Sequence, residues 1–240
     1  MNFVLARVLC VLGGYCFGLF ETGAIIAKKN NVDLRKEGSG NIGTTNSLRV
    51  MGVKAGAITL LGDVLKCIIA MLLAMFIFRG MFPSPDNGYR LLMIYAGIGA
   101  ILGHDYPFYH HFKGGKGVAC TAGFMFAFDG WFTLVGLIEF FSIFFATHYV
   151  SLGSLFVYPY VLVMQIVMGQ MGYFKGYDGL VVPQHYLTEM YCITLVLLCL
   201  TTFMHRENIK RLIAHNEKKT FLSSKKKAEY LASLEAKANE

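Results

Sequence analysis

The sequence predicts an all-α, polytopic membrane protein with seven transmembrane helices, its N-terminus outside and its C-terminus cytoplasmic. Hydrophobic residues fill 55 % of the 240 positions and charged residues only 15 %, a balance too apolar for a soluble domain of this size. Apolar runs of about 20 residues, the length that crosses a bilayer core, recur along the chain. Basic residues then gather at alternate ends of those runs.

The runs lie at 3–27, 53–78, 88–104, 117–134, 134–150, 152–172 and 185–204. The first lacks a basic leader followed by a cleavage site, so it reads as a retained membrane helix. Asp129 and Gly130 mark a tight turn between the fourth and fifth, where a single re-entrant element would reduce the count to six. Charge decides between the counts. Lys28, Lys29, Arg35, Lys36, Arg49 and Lys54 follow the first run, and Lys113 and Lys116 follow the third. Arg206, Lys210, Arg211, Lys218, Lys219, Lys225, Lys226, Lys227 and Lys237 follow the last. Seven spans put all three groups on the cytoplasmic face; six would separate the tail from the other two. The other face has only Arg7, Arg79, Arg90 and Lys175 near it.

This placement also explains the formal charge of +7, which in a soluble chain would suggest a nucleic-acid partner. Residues 1–217 read as one transmembrane domain and 218–240 as a Lys/Glu/Ala-rich cytoplasmic tail, solvated or touching lipid headgroups. No internal repeat supports an inverted-repeat transporter. The six cysteines, at 10, 16, 67, 120, 192 and 199, lie in or beside apolar runs without a Cys-x-x-Cys pair. They read as small buried hydrophobes rather than as disulfides or metal ligands.

Three polar segments share the predicted cytoplasmic face. The first, GSGNIGTTNSLRVMG at 38–52, combines glycines with Ser39, Asn41, Thr45, Asn46 and Arg49. Glycine admits close backbone approach, compact polar side chains cap helices, and converging N–H groups beside an arginine can cradle an anion. A plain turn followed by a capped helix would use the same residues. The second, GHDYPFYHHFKGGKGVAC at 103–120, runs glycines 114, 115 and 117 around Lys116 into a helix start, a suitable phosphate site. It is not a Walker A loop, since Gly117 stands where a magnesium-binding Ser or Thr is needed. His104 there can move a proton or hold the loop by hydrogen bonding. The third, MHRENIKRLIAHNE at 204–217, places His205 and Asn208 on one helical side, with Arg211 or Leu212 further along that face. Asp63 and Lys66 interrupt the second run at i,i+3 spacing; they are expected to pair inside the protein in a supporting role.

With these three ordered motifs the chain resembles the bacterial acyl-phosphate-dependent glycerol-3-phosphate acyltransferases, integral membrane enzymes, over nearly its whole length. The resemblance implies transfer of a fatty acyl group from acyl phosphate to glycerol 3-phosphate, giving lysophosphatidate and phosphate on the cytoplasmic side of the plasma membrane. It implies that Ser39, Arg49, Lys116, His205 and Asn208 bind or position the acceptor and support transfer. Asn41, Gly43, Thr45 and Asn46 support them, with His104, Arg211 and Glu217 also in the substrate site. Gly114, Gly115 and Gly117 resemble the donor-phosphate pocket. No cofactor, metal or acyl-enzyme is implied. The partners are acyl phosphate, glycerol 3-phosphate and membrane lipid, with no nucleic acid. The chain departs from the family pattern at His215, where glycine is usual, at Cys120, where threonine is common, and at Tyr106, often phenylalanine. Cys120 lies about a turn into an apolar helix, which favours packing over a nucleophilic role. The competing function is a transporter for an organic phosphate or other anion, and a noncatalytic scaffold is a third reading.

Overall fold

A computed structural model describes residues 2–82, 87–176, 179–222, 225, 228–230 and 232–233. It is all-α; the one pairing outside helices among these residues is an isolated antiparallel bridge between Lys175 and Val181. Helices are the natural solution for such a sequence, since each satisfies its backbone internally where no water is available.

The first apolar run forms two helices, α1 (Phe3–Gly18) and α2 (Thr22–Lys29), separated by Leu19, Phe20 and Glu21. After a loop come α3 (Thr44–Met51), α4 (Val53–Phe78) and α5 (Tyr89–Asp105). Then follow α6 (Val118–Phe128), α7 (Gly130–Thr147), α8 (Val150–Gln170), α9 (Gln184–Met204) and α10 (Arg206–Ile213). Among the described residues, five segments are long and apolar enough to span: Phe3–Lys29, α4, α7, α8 and α9. Leu12, Leu61, Ile138, Val163 and Val196 lie exposed on them, an apolar outer surface that suits lipid and not water.

Two predicted spans differ from expectation. α6 has 11 residues, a rise of about 16 Å and thus about half the bilayer core. It ends at Phe128 because Asp129 caps the next helix, its carboxylate accepting from the Trp131 and Phe132 N–H groups at 3.0 and 3.1 Å. That cap starts α7 at Gly130, four residues earlier than the sequence suggested. α5 is different again. Nearly all of it, from Leu91 to Asp105, is buried among its neighbours, making it the central helix of the bundle.

Small residues permit that centrality. Ala6, Cys10, Gly14 and Gly18 recur every fourth residue as the buried stripe of α1. They meet Ala96, Gly99, Ala100 and Gly103 on α5: a β-carbon on Gly14 would lie 2.0 Å from the Ala96 carbonyl oxygen, and one on Gly103 2.2 Å from that of Tyr15. Close backbone approach of this kind is how helices associate where lipid removes the hydrophobic driving force. Away from this seam, Arg7 on α1 grips Glu189 on α9 through two bonds of 2.7 and 2.6 Å.

The cysteine reading needs correction. All six are free; Cys10, Cys67 and Cys120 are buried, but Cys16, Cys192 and Cys199 are exposed on helix surfaces. A thiol is apolar enough for a lipid-facing surface as well as a core. The residues just after 217 pack onto the body: Thr220 is buried and its N–H donates to the His148 carbonyl at 2.9 Å. Lys226, Lys227 and Lys237 of the basic tail lie outside the described residues.

Candidate active site

The first motif folds around Asn46, buried in the first turn of α3. Its Oδ1 accepts from the Ser39 N–H at 2.8 Å, and its Nδ2 donates to the carbonyls of Leu34 and Glu37, both at 3.0 Å. The amide is therefore spent on shaping the loop. Gly38 has φ of 63°, and a β-carbon there would lie 2.1 Å from Asn46 Oδ1. Asn41 Oδ1 accepts from the Gly43 N–H at 2.8 Å, a local turn that leads into α3 with Gly43 as its N-cap. Thr45 is half-buried on α3, and Ser39 is exposed in the loop. Arg49, a turn further on, donates to Thr220 Oγ1 at 3.2 Å.

The second motif begins where α5 ends. The N–H groups of Gly114 and Gly115 donate to the carbonyls of Asp105 and His104 at 3.0 and 2.9 Å. A β-carbon at Gly114 would lie 2.0 Å from the His104 carbonyl oxygen; at Gly115 it would lie 1.9 Å from His104 Nε2. These glycines are required for approach to α5, and their N–H groups are already engaged. Gly117 adopts φ of 70° and starts α6, which has no side-chain cap, so the N–H groups available to an anion are those of the first helical turn.

In the third motif, His205 is the joint between α9 and α10 and is 3 % exposed. Its Nδ1 lies 2.9 Å from the Thr201 carbonyl oxygen, which only accepts, so Nδ1 carries the proton and Nε2 presents its lone pair. Asn208 links the motifs: its Oδ1 accepts from Lys116 Nζ, and its Nδ2 donates to Glu217 Oε1 at 2.7 Å. Glu217 also accepts from Arg211 Nε at 2.6 Å and from Ser151 Oγ at 2.9 Å. Lys218 Nζ donates to the Gly38 carbonyl at 2.9 Å, tying this segment back to the first motif.

Cations dominate the site. Burial lowers the Arg49 pKa, Glu217 raises it and Arg211 lowers it further. Lys116 is likewise lowered, by burial and then by Arg211, against the pull of Glu217. Burial pulls His205 down to about 4, with Lys116 adding to the effect and its bond to Thr201 opposing it. Glu217 runs the other way: burial would raise it, but hydrogen bonds from Arg211, Asn208 and Ser151 hold it below the usual carboxylate range. One carboxylate thus faces Arg49, Lys116 and Arg211, leaving positive charge for anionic groups to meet.

The structure brings together Arg49, Lys116, His205, Asn208, Arg211 and Glu217, and links the Ser39 loop to them through Lys218. It places Asn41, Gly43 and Asn46 in loop architecture, and His104 behind the glycine loop. Ser151 and Thr220 were missed. Ser151 sits in an apolar run and Thr220 in a lysine-rich stretch, and neither context carries a motif.

The family model for glycerol-3-phosphate acyltransferase matches residues 8–215. A glycerol-3-phosphate acyltransferase of Halalkalibacterium halodurans is 38 % identical over 213 residues, spanning 88 % of this chain and 94 % of the relative. One from Endomicrobium trichonymphae is 36 % identical over 224 residues, spanning 93 % of this chain and the whole relative. Two crystal structures of PlsY (YgiH), an integral membrane glycerol 3-phosphate acyltransferase, match over 90 % of this chain and 96 % of theirs. Its glycerol 3-phosphate form has a TM-score of 0.74 at 32 % identity, and its lysophosphatidic acid form 0.72 at 30 %. This multi-pass membrane chain belongs to the glycerol-3-phosphate acyltransferase family.

Proposed function

We propose that the protein transfers a fatty acyl group from acyl phosphate to the 1-hydroxyl of glycerol 3-phosphate, forming lysophosphatidate and inorganic phosphate. The observation that carries this is the meeting of Arg49, Lys116 and Arg211, one cation from each motif, around the Asn208–Glu217 pair. Both substrates carry phosphate, so the site must hold two anions together. The surplus of positive charge suits that task.

The acceptor hydroxyl oxygen attacks the donor carbonyl carbon, and the carbon–oxygen bond to phosphate breaks. Arg49 and Lys116 reduce repulsion between the phosphates, and Lys116 with the first turn of α6 stabilises the departing one. Ser39 and Asn208 position the acceptor. His205 accepts the hydroxyl's hydrogen bond at Nε2 and so orients it. With its pKa near 4, His205 is a weak base at neutral pH; the proton passes to a phosphate oxygen of bound substrate instead. Glu217 acts by holding Asn208 and Arg211, since a carboxylate placed against substrate phosphate would repel it. Cys120 is fully buried, which supports direct transfer without an acyl-cysteine.

Seven membrane crossings, with α5 and α6 completing the five long spans, put the three motifs and the tail on the cytoplasmic face and the N-terminus outside. The transmembrane domain extends to Glu217, with the basic tail beyond it.

Purified protein in lipid vesicles distinguishes enzyme from transporter. Supplied with acyl phosphate and glycerol 3-phosphate, it forms lysophosphatidate in step with phosphate release. Anion flux across the vesicle without product would reject the enzyme reading.

A further inference from the structure

The chain does not leave the body of the protein at Glu217. Thr220 is 5 % exposed and engages two elements at once: its N–H donates to the His148 carbonyl at 2.9 Å, and its Oγ1 accepts from Arg49 Nη2 at 3.2 Å. Two residues before it, Lys218 Nζ donates to the Gly38 carbonyl at 2.9 Å. Residues 218–221 therefore form a strap from the third motif, across the first, to the turn between α7 and α8.

The far end of the strap is held by rings. The Phe221 ring centroid lies 4.7 Å from that of His148 and 5.2 Å from that of Tyr230, and Lys219 Nζ lies 5.6 and 4.9 Å from the ring centroids of Tyr149 and Tyr230. These are separations at which aromatic pairs, and cations over aromatic faces, attract. His148, Tyr149, Phe221 and Tyr230 all lie outside the three motifs. What the strap gives the site is a restraint on Arg49. That guanidinium ends a flexible stem, and among the described residues Thr220 is its one hydrogen-bond partner. A guanidinium has five N–H donors, so Thr220 takes one and leaves the others for a phosphate.

We propose that Phe221, Tyr230 and His148 are positioning residues for the acceptor: by clasping the strap they hold Thr220 Oγ1 against Arg49, and so preset the guanidinium for the phosphate of glycerol 3-phosphate. This rests on reading Arg49 as a ligand of that phosphate. Losing the clasp costs binding rather than transfer, because a bound phosphate orients the guanidinium itself. The coupling is reciprocal, so glycerol 3-phosphate in turn tightens the strap.

The test compares the full-length protein in lipid with Phe221→Ala, Phe221→Tyr and His148→Asn, the last chosen because asparagine tolerates the φ of 60° at that position. Phe221→Ala and His148→Asn should raise the KM for glycerol 3-phosphate by about five- to tenfold, with kcat and the KM for acyl phosphate within about twofold of wild type. Phe221→Tyr keeps the ring and should restore the wild-type KM. Amide hydrogen exchange gives a readout independent of turnover. The peptide holding Thr220 should be protected in the wild type, slowed further by glycerol 3-phosphate, and about tenfold faster in Phe221→Ala, which loses two ring contacts. Faster exchange with a KM for glycerol 3-phosphate that stays put or falls would overturn the proposal, as would equal losses in kcat and both KM values. If both disruptive variants fail to fold, the wild type decides: an unprotected Thr220 peptide, or one that bound glycerol 3-phosphate does not slow, overturns it. Absence of lysophosphatidate synthesis by the wild type would instead reject the functional reading, while exchange still reports whether glycerol 3-phosphate tightens the strap.

Discussion

Asn208 Nδ2 donates to Glu217 Oε1 at 2.7 Å while its Oδ1 accepts from Lys116 Nζ, so one amide stands between the lysine of the second motif and the carboxylate of the third. The bonds make the loop after α5 and the segment after α10 a single unit. Lys116 is thereby aimed, and Glu217 stays directed at Arg211 and Ser151.

Asn208→Leu removes both bonds and leaves a lysine and a carboxylate without the group that joined them. Turnover should fall by about 100-fold, comparable with losing a positioned donor of transition-state charge. Glu217→Gln keeps an oxygen acceptor but weakens the contact with Arg211, and should cost about tenfold in kcat/KM. Initial rates with both substrates varied check the order. A larger loss in Glu217→Gln than in Asn208→Leu would contradict the indirect role given to Glu217.

Arg49 and Lys116 contact the substrate phosphates in the proposed reaction, so Arg49→Ala and Lys116→Ala should each lose about 100-fold or more while remaining folded. Thr220→Val removes only the 3.2 Å bond that steadies Arg49. A loss of several-fold, mostly in KM for glycerol 3-phosphate, is expected there. Normal kinetics in both cation variants would reject the phosphate-binding assignment.

His205 gives a pH signature of known sign. Its folded pKa of about 4 lies below the ordinary histidine value of 6.5, so the unfolded chain takes up the proton first as pH falls. Stability is complete above about pH 6.5 and declines toward about pH 4, by about 3 kcal/mol in total. Denaturation of wild type and His205→Asn across that range should show a flatter acid decline in the variant. The turnover profile should carry no His205 limb between about pH 5.5 and 8, and a limb lost on His205→Asn would make it the proton acceptor after all.

Steric predictions follow from the glycines. Gly115→Ala drives a methyl group into the His104 ring, and Gly103→Ala drives one into the Tyr15 carbonyl at the α1–α5 seam. Both should lower the unfolding temperature clearly, by the equivalent of about 1–3 kcal/mol of overpacking. Gly13→Ala is the control: nothing lies within 4 Å of its β-carbon, and alanine in a helix is favoured over glycine by about 0.5–1 kcal/mol. Thermal unfolding in one detergent ranks the three.

Much of this fold is legible in the sequence because lipid imposes length and charge. α4 and α9 begin and end within a residue of their predicted runs. The break at 19–21 was not legible, since apolar residues continue on both sides of the single Glu21, whereas the Asp129–Gly130 turn that ends α6 was, although the predicted runs meet at 134. At the site, the motifs supply Arg49, Lys116, His205 and Asn208, which the fold brings together around Glu217. Asn46 reads from the sequence as a supporting residue of the site, since an amide suits a ligand and a loop equally, and how it shapes the loop is visible only in its three bonds to Ser39, Leu34 and Glu37. Thr220 and Ser151 reach the network by folding alone.

Donor exchange tests the central claim most directly. Purified protein in lipid receives glycerol 3-phosphate with acyl phosphate, acyl-CoA or acyl carrier protein as the sole acyl source, and lysophosphatidate and free phosphate are both measured. The account predicts product with acyl phosphate alone, one phosphate released for each lysophosphatidate formed. Equal or better turnover with a thioester donor would contradict it.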